Sequence, residues 1–339
     1  MNNITGKKLY IGSIKLEMPV LMAPLSGYTD SATRSILRNF GAPLTFPGVM
    51  LSKSAANPKI LRKPEYQPQP CEKPVGAQIL GAEPKIMAEA AAGLEKSGFD
   101  LIDINFACPA PKVLRRGRGG YMLRDPQSVR EVFLAVRNAI KVPLTVKLRI
   151  GYGEGEESRR AFWEIMDFFA QNPPELTVIH GRTTLQKYGG KADWHLIAEA
   201  KKRYPHLKIA GSGDIFSVED IISRLEQTGI DGILVARGAI GNPWIFRDAA
   251  AVFRGEAKPQ PPSVQEQGRV MIEHVSLLRK VFDPCKSVRY FRKFSARYCK
   301  LHPHRKRPQT ALMAAKNMDD FLSAIKTHYG VEPNTDSDL

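Results

Sequence analysis

Cys108 is the residue best placed to do chemistry. It lies in Asp103-Ile-Asn-Phe-Ala-Cys-Pro-Ala-Pro-Lys-Val113, where an apolar run from Phe99 to Ile104 delivers Asn105 and then the thiol to a turn. Pro109 and Pro111 keep that turn from continuing as strand or helix. A thiol at a strand exit has two roles open to it: a nucleophile with His180 or Lys147 as its base, or an acid that keeps its proton until used. Behind it, Lys112, Arg115, Arg116 and Arg118 alternate with Gly117, Gly119 and Gly120, a flexible basic loop suited to a polyanion. Lys147 interrupts an apolar run, and an ammonium there requires an anion or a cofactor acceptor.

The elements that must position these residues are legible as an alternation. Short apolar, β-branched runs occur at 20–24, 44–50, 75–80, 101–105, 144–150, 176–180, 208–211 and 233–237. Segments of helical periodicity separate them, with caps such as Asp125-Pro126 and Ser217. Eight buried strands, each followed by a helix, predict a (β/α)8 TIM barrel, with a doubly wound sheet as the alternative. A hairpin over residues 8–16 is expected to plug one end.

In a barrel, function sits at the strands' C-terminal ends. Those ends carry Ala23 and Pro24, Gln78, Asn105 and Cys108, Lys147 and Arg149, and His180 and Arg182. The last two strands deliver Ser212, Gly213 and Asp214, then Ala236, Arg237 and Gly238. Two glycine-bearing loops after the final strands are where barrels hold a phosphate, and Arg237 adds charge. Gln78, Lys147 and His180 supply donors suited to the polar edge of an isoalloxazine ring.

The chain has 339 residues, 43% of them hydrophobic, and a formal net charge of +16. Charge of that size points to an anionic macromolecule, and its distribution strengthens the point. No acidic residue lies between Asp283 and Asp319, where Arg289, Arg292, Lys293 and Arg297 are joined by six more lysines and arginines. A proline-rich linker at 255–267 is expected to divide a catalytic barrel (1–254) from a basic helical bundle (268–332) with helices over 270–282, 288–301 and 310–329. Residues 333–339 are expected to be a disordered tail. The four cysteines form no CxxC pair, and Cys285, Cys299, His302 and His304 fit no common zinc spacing, so no metal site is expected. With no signal segment and no run near the ~20 apolar residues of a membrane span, the expectation is a cytoplasmic protein.

Several of these motifs, in order, resemble the tRNA-dihydrouridine synthases, above all their bacterial B-type branch. They are Met22-Ala-Pro-Leu-Ser-Gly-Tyr-Thr-Asp30, Asp103 to Pro109, His180-Gly-Arg182, Gln186-x-Tyr188-x-Gly190, Gly211-Ser-Gly-Asp-Ile215, Arg237 to Phe246 and the basic Val288-Arg-Tyr-Phe-Arg-Lys293. The resemblance implies FMN at the barrel mouth, with Ala23, Pro24 and Gln78 near the ring and Lys147 and His180 at its polar edge. The loops 212–214 and 236–238 would hold its phosphate. It implies NADPH as the reductant, hydride delivery to C6 of a uracil, and Cys108 as the proton donor to C5. Asn105 and Arg182 would hold the base. Lys112, Arg115, Arg116, Arg118, Arg289, Arg292, Lys293 and Arg297 would hold tRNA, or ribosomal RNA as the alternative, against a monomeric enzyme. Ala107, Ser212, Ala236 and Phe46-Pro47-Gly48 depart from the family pattern, which bears on the choice of uridine. The competing readings are a dihydroorotate-dehydrogenase-like enzyme of a small substrate and a non-catalytic RNA-remodelling protein.

Overall fold

The computed structural model describes residues 4–62 and 67–332, so the expected tail at 333–339 lies outside the described residues. A hairpin, β1 (Leu9–Ile11) and β2 (Ile14–Leu16), precedes eight parallel strands. These are β3 (Val20–Met22), β4 (Met50–Leu51), β5 (Gly76–Leu80), β6 (Leu101–Phe106), β7 (Leu144–Arg149), β8 (Leu176–His180), β9 (Ile209–Ser212) and β10 (Gly232–Val235). Their order is β3-β10-β9-β8-β7-β6-β5-β4, and the Met22 N–H donating to the Leu44 carbonyl at 3.2 Å joins its two ends. The sheet is therefore a (β/α)8 barrel and not a doubly wound sheet. Its strands are apolar on both faces because helices cover the outside while side chains such as Leu21, Leu101, Leu176 and Leu234 fill the inside. Leu9, Ile11 and Leu16 join that inner cluster, so the hairpin closes the end at which the strands begin.

Three local expectations need correction. The run 44–50 is not one strand: it makes a single bridge, Thr45 to Val75, before the short β4. Pro47 has no N–H for a ladder, and Gly48 runs so close to Ser26 that an added Cβ would lie 3.1 Å from its Cα. The turn after Cys108 does become helical, for one turn at Pro111–Leu114, because proline suits the first helical position. The stretch 310–329 is two helices, Lys306–Ala314 and Met318–Tyr329, the second begun by Asn317, whose side chain accepts the Asp320 N–H.

The first C-terminal helix, Val264–Arg279, starts inside the expected linker because Ser263 caps it by accepting the Glu266 N–H. The next, Pro284–Tyr298, carries the basic run and is called the basic helix below. Both are fastened to the barrel. Tyr28 in the loop after β3 meets Phe294 edge to face at 5.5 Å, and Thr33 lies 3.4 Å from His274, which contacts the Tyr298 hydroxyl at 3.1 Å. Packing across this seam fixes where the basic helix sits relative to the barrel mouth.

Candidate active site at the barrel mouth

A cavity of about 380 Å³ opens at the C-terminal ends of the strands. Its lining brings together Ala23, Pro24, Gln78, Asn105, Cys108, Lys147, His180, Ser212, Gly213, Asp214, Ala236, Arg237 and Arg297. Candidates from seven strands or the loops after them, and one from the basic helix, thus converge on one space of the size ligand pockets have.

Cys108 is half-buried and its backbone is held on both sides. Asn105 accepts the N–H groups of Ala107 (3.0 Å) and Cys108 (2.9 Å) on its side-chain oxygen. Arg149 donates from Nε to the Ala107 carbonyl at 2.8 Å, and from Nη1 to the carbonyls of Thr183 and Lys187 at 2.9 Å each. The 3-10 turn behind, Gly119–Arg124, begins where only glycine fits: φ is 59° at Gly119, and a Cβ there would sit 3.0 Å from the Cys108 Cβ.

Beneath the thiol runs a buried chain of hydrogen bonds. Thr145 donates to Asp103 Oδ1 (2.6 Å), Gln78 donates to Asp103 Oδ2 (2.6 Å), and Asn105 donates to Gln78 Oε1 (2.7 Å). Register explains the contacts, since Gln78 pairs with Asp103 and Asp103 with Thr145 across three neighbouring strands. Burial pushes the Asp103 carboxyl up to about 6, against the pull of its two donors and of Lys147. Sequence reasoning gave Asp103 and Thr145 no place in the site and placed Arg149 at a strand end without a role. The available signal was period two: Asp103 and Asn105, and Thr145, Lys147 and Arg149, are alternate residues of β6 and β7.

Lys147 is lowered to about 7, first by burial and then by Arg149, with Asp103 and Cys108 pulling the other way. His180 is held well below its ordinary range, again mainly by burial and then by the charges of Lys147, Arg149, Arg182 and Arg237. Its imidazole is neutral at pH 7, and its buried Nδ1 has no partner among the described residues. Gly213 has φ at 124°, and a Cβ added there would lie 2.7 Å from the Ala192 Cβ and 3.5 Å from His180 Cε1. A buried imidazole nitrogen without a partner among the described residues, a buried lysine and glycine-bearing loops fit a planar ring with polar edges and an attached phosphate. These groups suit a flavin mononucleotide.

Among the residues expected to hold the cofactor or the base, two lie outside the cavity lining. Gly238 packs on the Ile215–Phe216 backbone. Arg182, 2% exposed, donates to the Gly189 and Gly190 carbonyls and to Asp214 at 2.6 Å, so it braces the Asp214 loop and is not among the cavity's lining. Partial burial works to raise the Asp214 carboxyl, yet hydrogen bonds from Arg182 and the Ala192 N–H, with the charges of Arg182 and Arg237, hold it below the ordinary range.

The basic residues also divide. Lys112, Arg115, Arg116 and Arg289 are exposed and Arg118 is half-buried. Arg297 reaches the cavity from the basic helix. Arg292 instead donates from Nε to the Ala315 carbonyl at 2.9 Å, closing the end of helix Lys306–Ala314. Lys293 lies 3.1 Å from the Tyr290 ring centroid and is lowered to about 8 by burial, with Asp30 opposing. Among the described residues no group of three or more His, Cys, Asp or Glu could hold a metal; Cys299 is buried against Tyr329 while Cys285 is exposed.

The closed barrel and a mouth that joins a positioned thiol to a desolvated lysine make this a barrel enzyme. Its family follows from comparison: residues 21–331 match the model described as dihydrouridine synthase (Dus), and the chain belongs to that family. It is 34% identical to "Probable tRNA-dihydrouridine synthase 1" of Synechocystis sp., over 88% of this chain and 83% of the relative. Identity to "Probable tRNA-dihydrouridine synthase" of Aquifex aeolicus is 32%, over 91% and 95%. To the protein of that description from Mycobacterium tuberculosis it is 30%, over 97% and 87%. Among solved structures, histamine dehydrogenase from Rhizobium sp. 4-9 shares the fold, with a TM-score of 0.57 at 14% identity. The match covers 81% of this chain but 51% of that one, about half its length.

Proposed function

We propose that this enzyme reduces a uridine of transfer RNA to 5,6-dihydrouridine, with FMN at the barrel mouth and NADPH as the source of electrons. Membership of the dihydrouridine synthase family sets the reaction class. The observation that carries the reading is the double anchoring of the Cys108 turn, by Asn105 on the Cys108 N–H and by Arg149 on the Ala107 carbonyl, at the edge of a cavity that holds Lys147 and a His180 Nδ1 with no partner among the described residues. When bound, reduced FMN supplies a hydride to C6 of the uracil and is restored by NADPH.

The chain's own residues do the rest. Gln78, Lys147 and His180 orient the ring through its polar edge, and the Ser212–Asp214 and Ala236–Gly238 loops take the phosphate. Cys108 transfers the proton from Sγ to C5, and its thiolate is reprotonated from solvent, so one hydride and one proton saturate one double bond. Asn105 and Arg182 keep the base in reach, Asn105 through the Cys108 turn and Arg182 through the Asp214 loop. A uridine inside folded RNA must swing out to enter, and the basic loop and basic helix offset that unstacking.

The test is nucleoside mass spectrometry on separated tRNA and ribosomal RNA from cells with and without the gene. Loss of the product nucleoside, heavier than uridine by two hydrogens, from tRNA is the expected result. Loss from ribosomal RNA alone would keep the chemistry and move the substrate. No loss from either RNA, in cells without a second such gene, contradicts the proposal.

A further inference from the structure

The mouth carries exposed aromatic rings interleaved with arginines on the loops that follow β6 to β10. At the cavity edge the Arg237 guanidinium lies 4.8 Å from the Tyr188 ring centroid and 5.8 Å from that of Phe216. Those rings are 56% and 48% exposed. Farther out, Arg124 lies 5.2 Å from both Tyr121 and Tyr152, whose rings meet edge to face at 5.8 Å. The two groups are physically joined. The Leu185 N–H donates to the Tyr152 carbonyl at 2.9 Å, and Arg149 binds the Lys187 carbonyl while lying 5.9 Å from the Tyr188 ring.

These rings come from the loops after β6, β7, β8 and β9, while the basic helix packs on the loop after β3 and its Arg297 lines the cavity together with Tyr188, Phe216 and Arg237. Rings left in water with cations beside them are poor material for a protein core and good material for unpaired bases, each of which offers a π-face and a phosphate. Swinging a uridine into the cavity also strips its neighbours of a stacking partner. We propose that this rim is a stacking track for the unpaired nucleotides that flank the target uridine, with Tyr188 and Phe216 receiving the nearest one. The inference rests on the RNA-uridine reading given above.

Stacking and charge are separable by salt. Replacing Tyr188→Leu and Phe216→Leu together keeps apolar bulk and removes the π-faces at two exposed positions. Binding of unmodified tRNA transcripts to the flavin-loaded variant, measured across a salt series, should weaken roughly 10- to 100-fold. The slope of log affinity against log salt should stay that of the parent, because no phosphate contact is lost. Tyr188→Trp with Phe216→Trp should restore affinity. Parent-like affinity in the leucine pair would overturn the track. So would a flattened slope, which would mean that the rings merely place arginines, or loss of flavin with RNA binding intact, which would give the rings to the cofactor. A parent protein that neither binds tRNA nor forms dihydrouridine would instead defeat the underlying reading.

Discussion

Lys147 at the barrel mouth and Arg289 on the basic helix are both cations, yet the fold treats them in opposite ways. Lys147 is desolvated, its pKa lowered to about 7, and it lies over a buried chain of donors and acceptors in which every distance is short. Arg289 faces solvent. Charge at the mouth acts through position, so one misplaced group alters the site. Under the proposed function, charge on the helix acts by number, so each exposed member contributes a small share to holding a polyanion. The difference teaches that the two regions should answer to different perturbations, and the following measurements test how cleanly they separate.

The largest effect should come from Cys108→Ala. Loss of a positioned proton donor is expected to lower dihydrouridine formation by ~10²–10⁴, read by nucleoside mass spectrometry, with flavin absorbance and tRNA affinity kept. Gln78→Ala comes next, because it strips a partner from Asp103 and from Asn105 together. Two buried groups left unpaired should cost about 2–5 kcal/mol, seen as a lower denaturation midpoint along with weaker product formation. A midpoint equal to the parent's would mean that water replaces the glutamine and that the network is less demanding than its geometry implies.

Lys147 gives a pH signature. Its folded pKa lies below the 10.5 of the unfolded chain, so the unfolded state holds more protons between about pH 7 and 10.5. Stability of the flavin-free protein should therefore rise with pH across that window. Lys147→Met should remove the slope and stabilise the flavin-free protein at pH 7 by ~2–4 kcal/mol, while weakening flavin binding. The smallest effect belongs to Arg289→Ala: a few-fold loss of tRNA affinity at low salt and a salt slope reduced by about one. Arg292→Ala provides the contrast within the helix. Its guanidinium closes a helix end, so its loss should appear in thermal stability more than in the salt slope.

Most of the barrel could be read from the chain because buried parallel strands are short apolar runs, and because His180 ends such a run, Lys147 interrupts one and Cys108 follows one by three residues. The run at 44–50 misled because its composition is that of a strand, while Pro47 and the close approach of Gly48 to Ser26 interrupt the ladder. The Gln78–Asp103–Thr145 layer was not legible for a different reason. Its members lie on three strands, and only the register between those strands makes them neighbours. Arg292 and Lys293 read as two more cations of a basic helix, but which face of that helix meets protein depends on Ala315, Tyr290 and Asp30, none of which the basic pattern encodes.

The central claim is that the thiol held by Asn105 and Arg149 is the acid of the reaction and that the cofactor site functions independently of it. Stopped-flow absorbance of the flavin separates these statements, following reduction by NADPH and then oxidation by unmodified tRNA in the parent and in Cys108→Ala. The account predicts equal reduction rates and an oxidation slowed by ~10²–10⁴ in the variant. Oxidation by tRNA at the parental rate would contradict it.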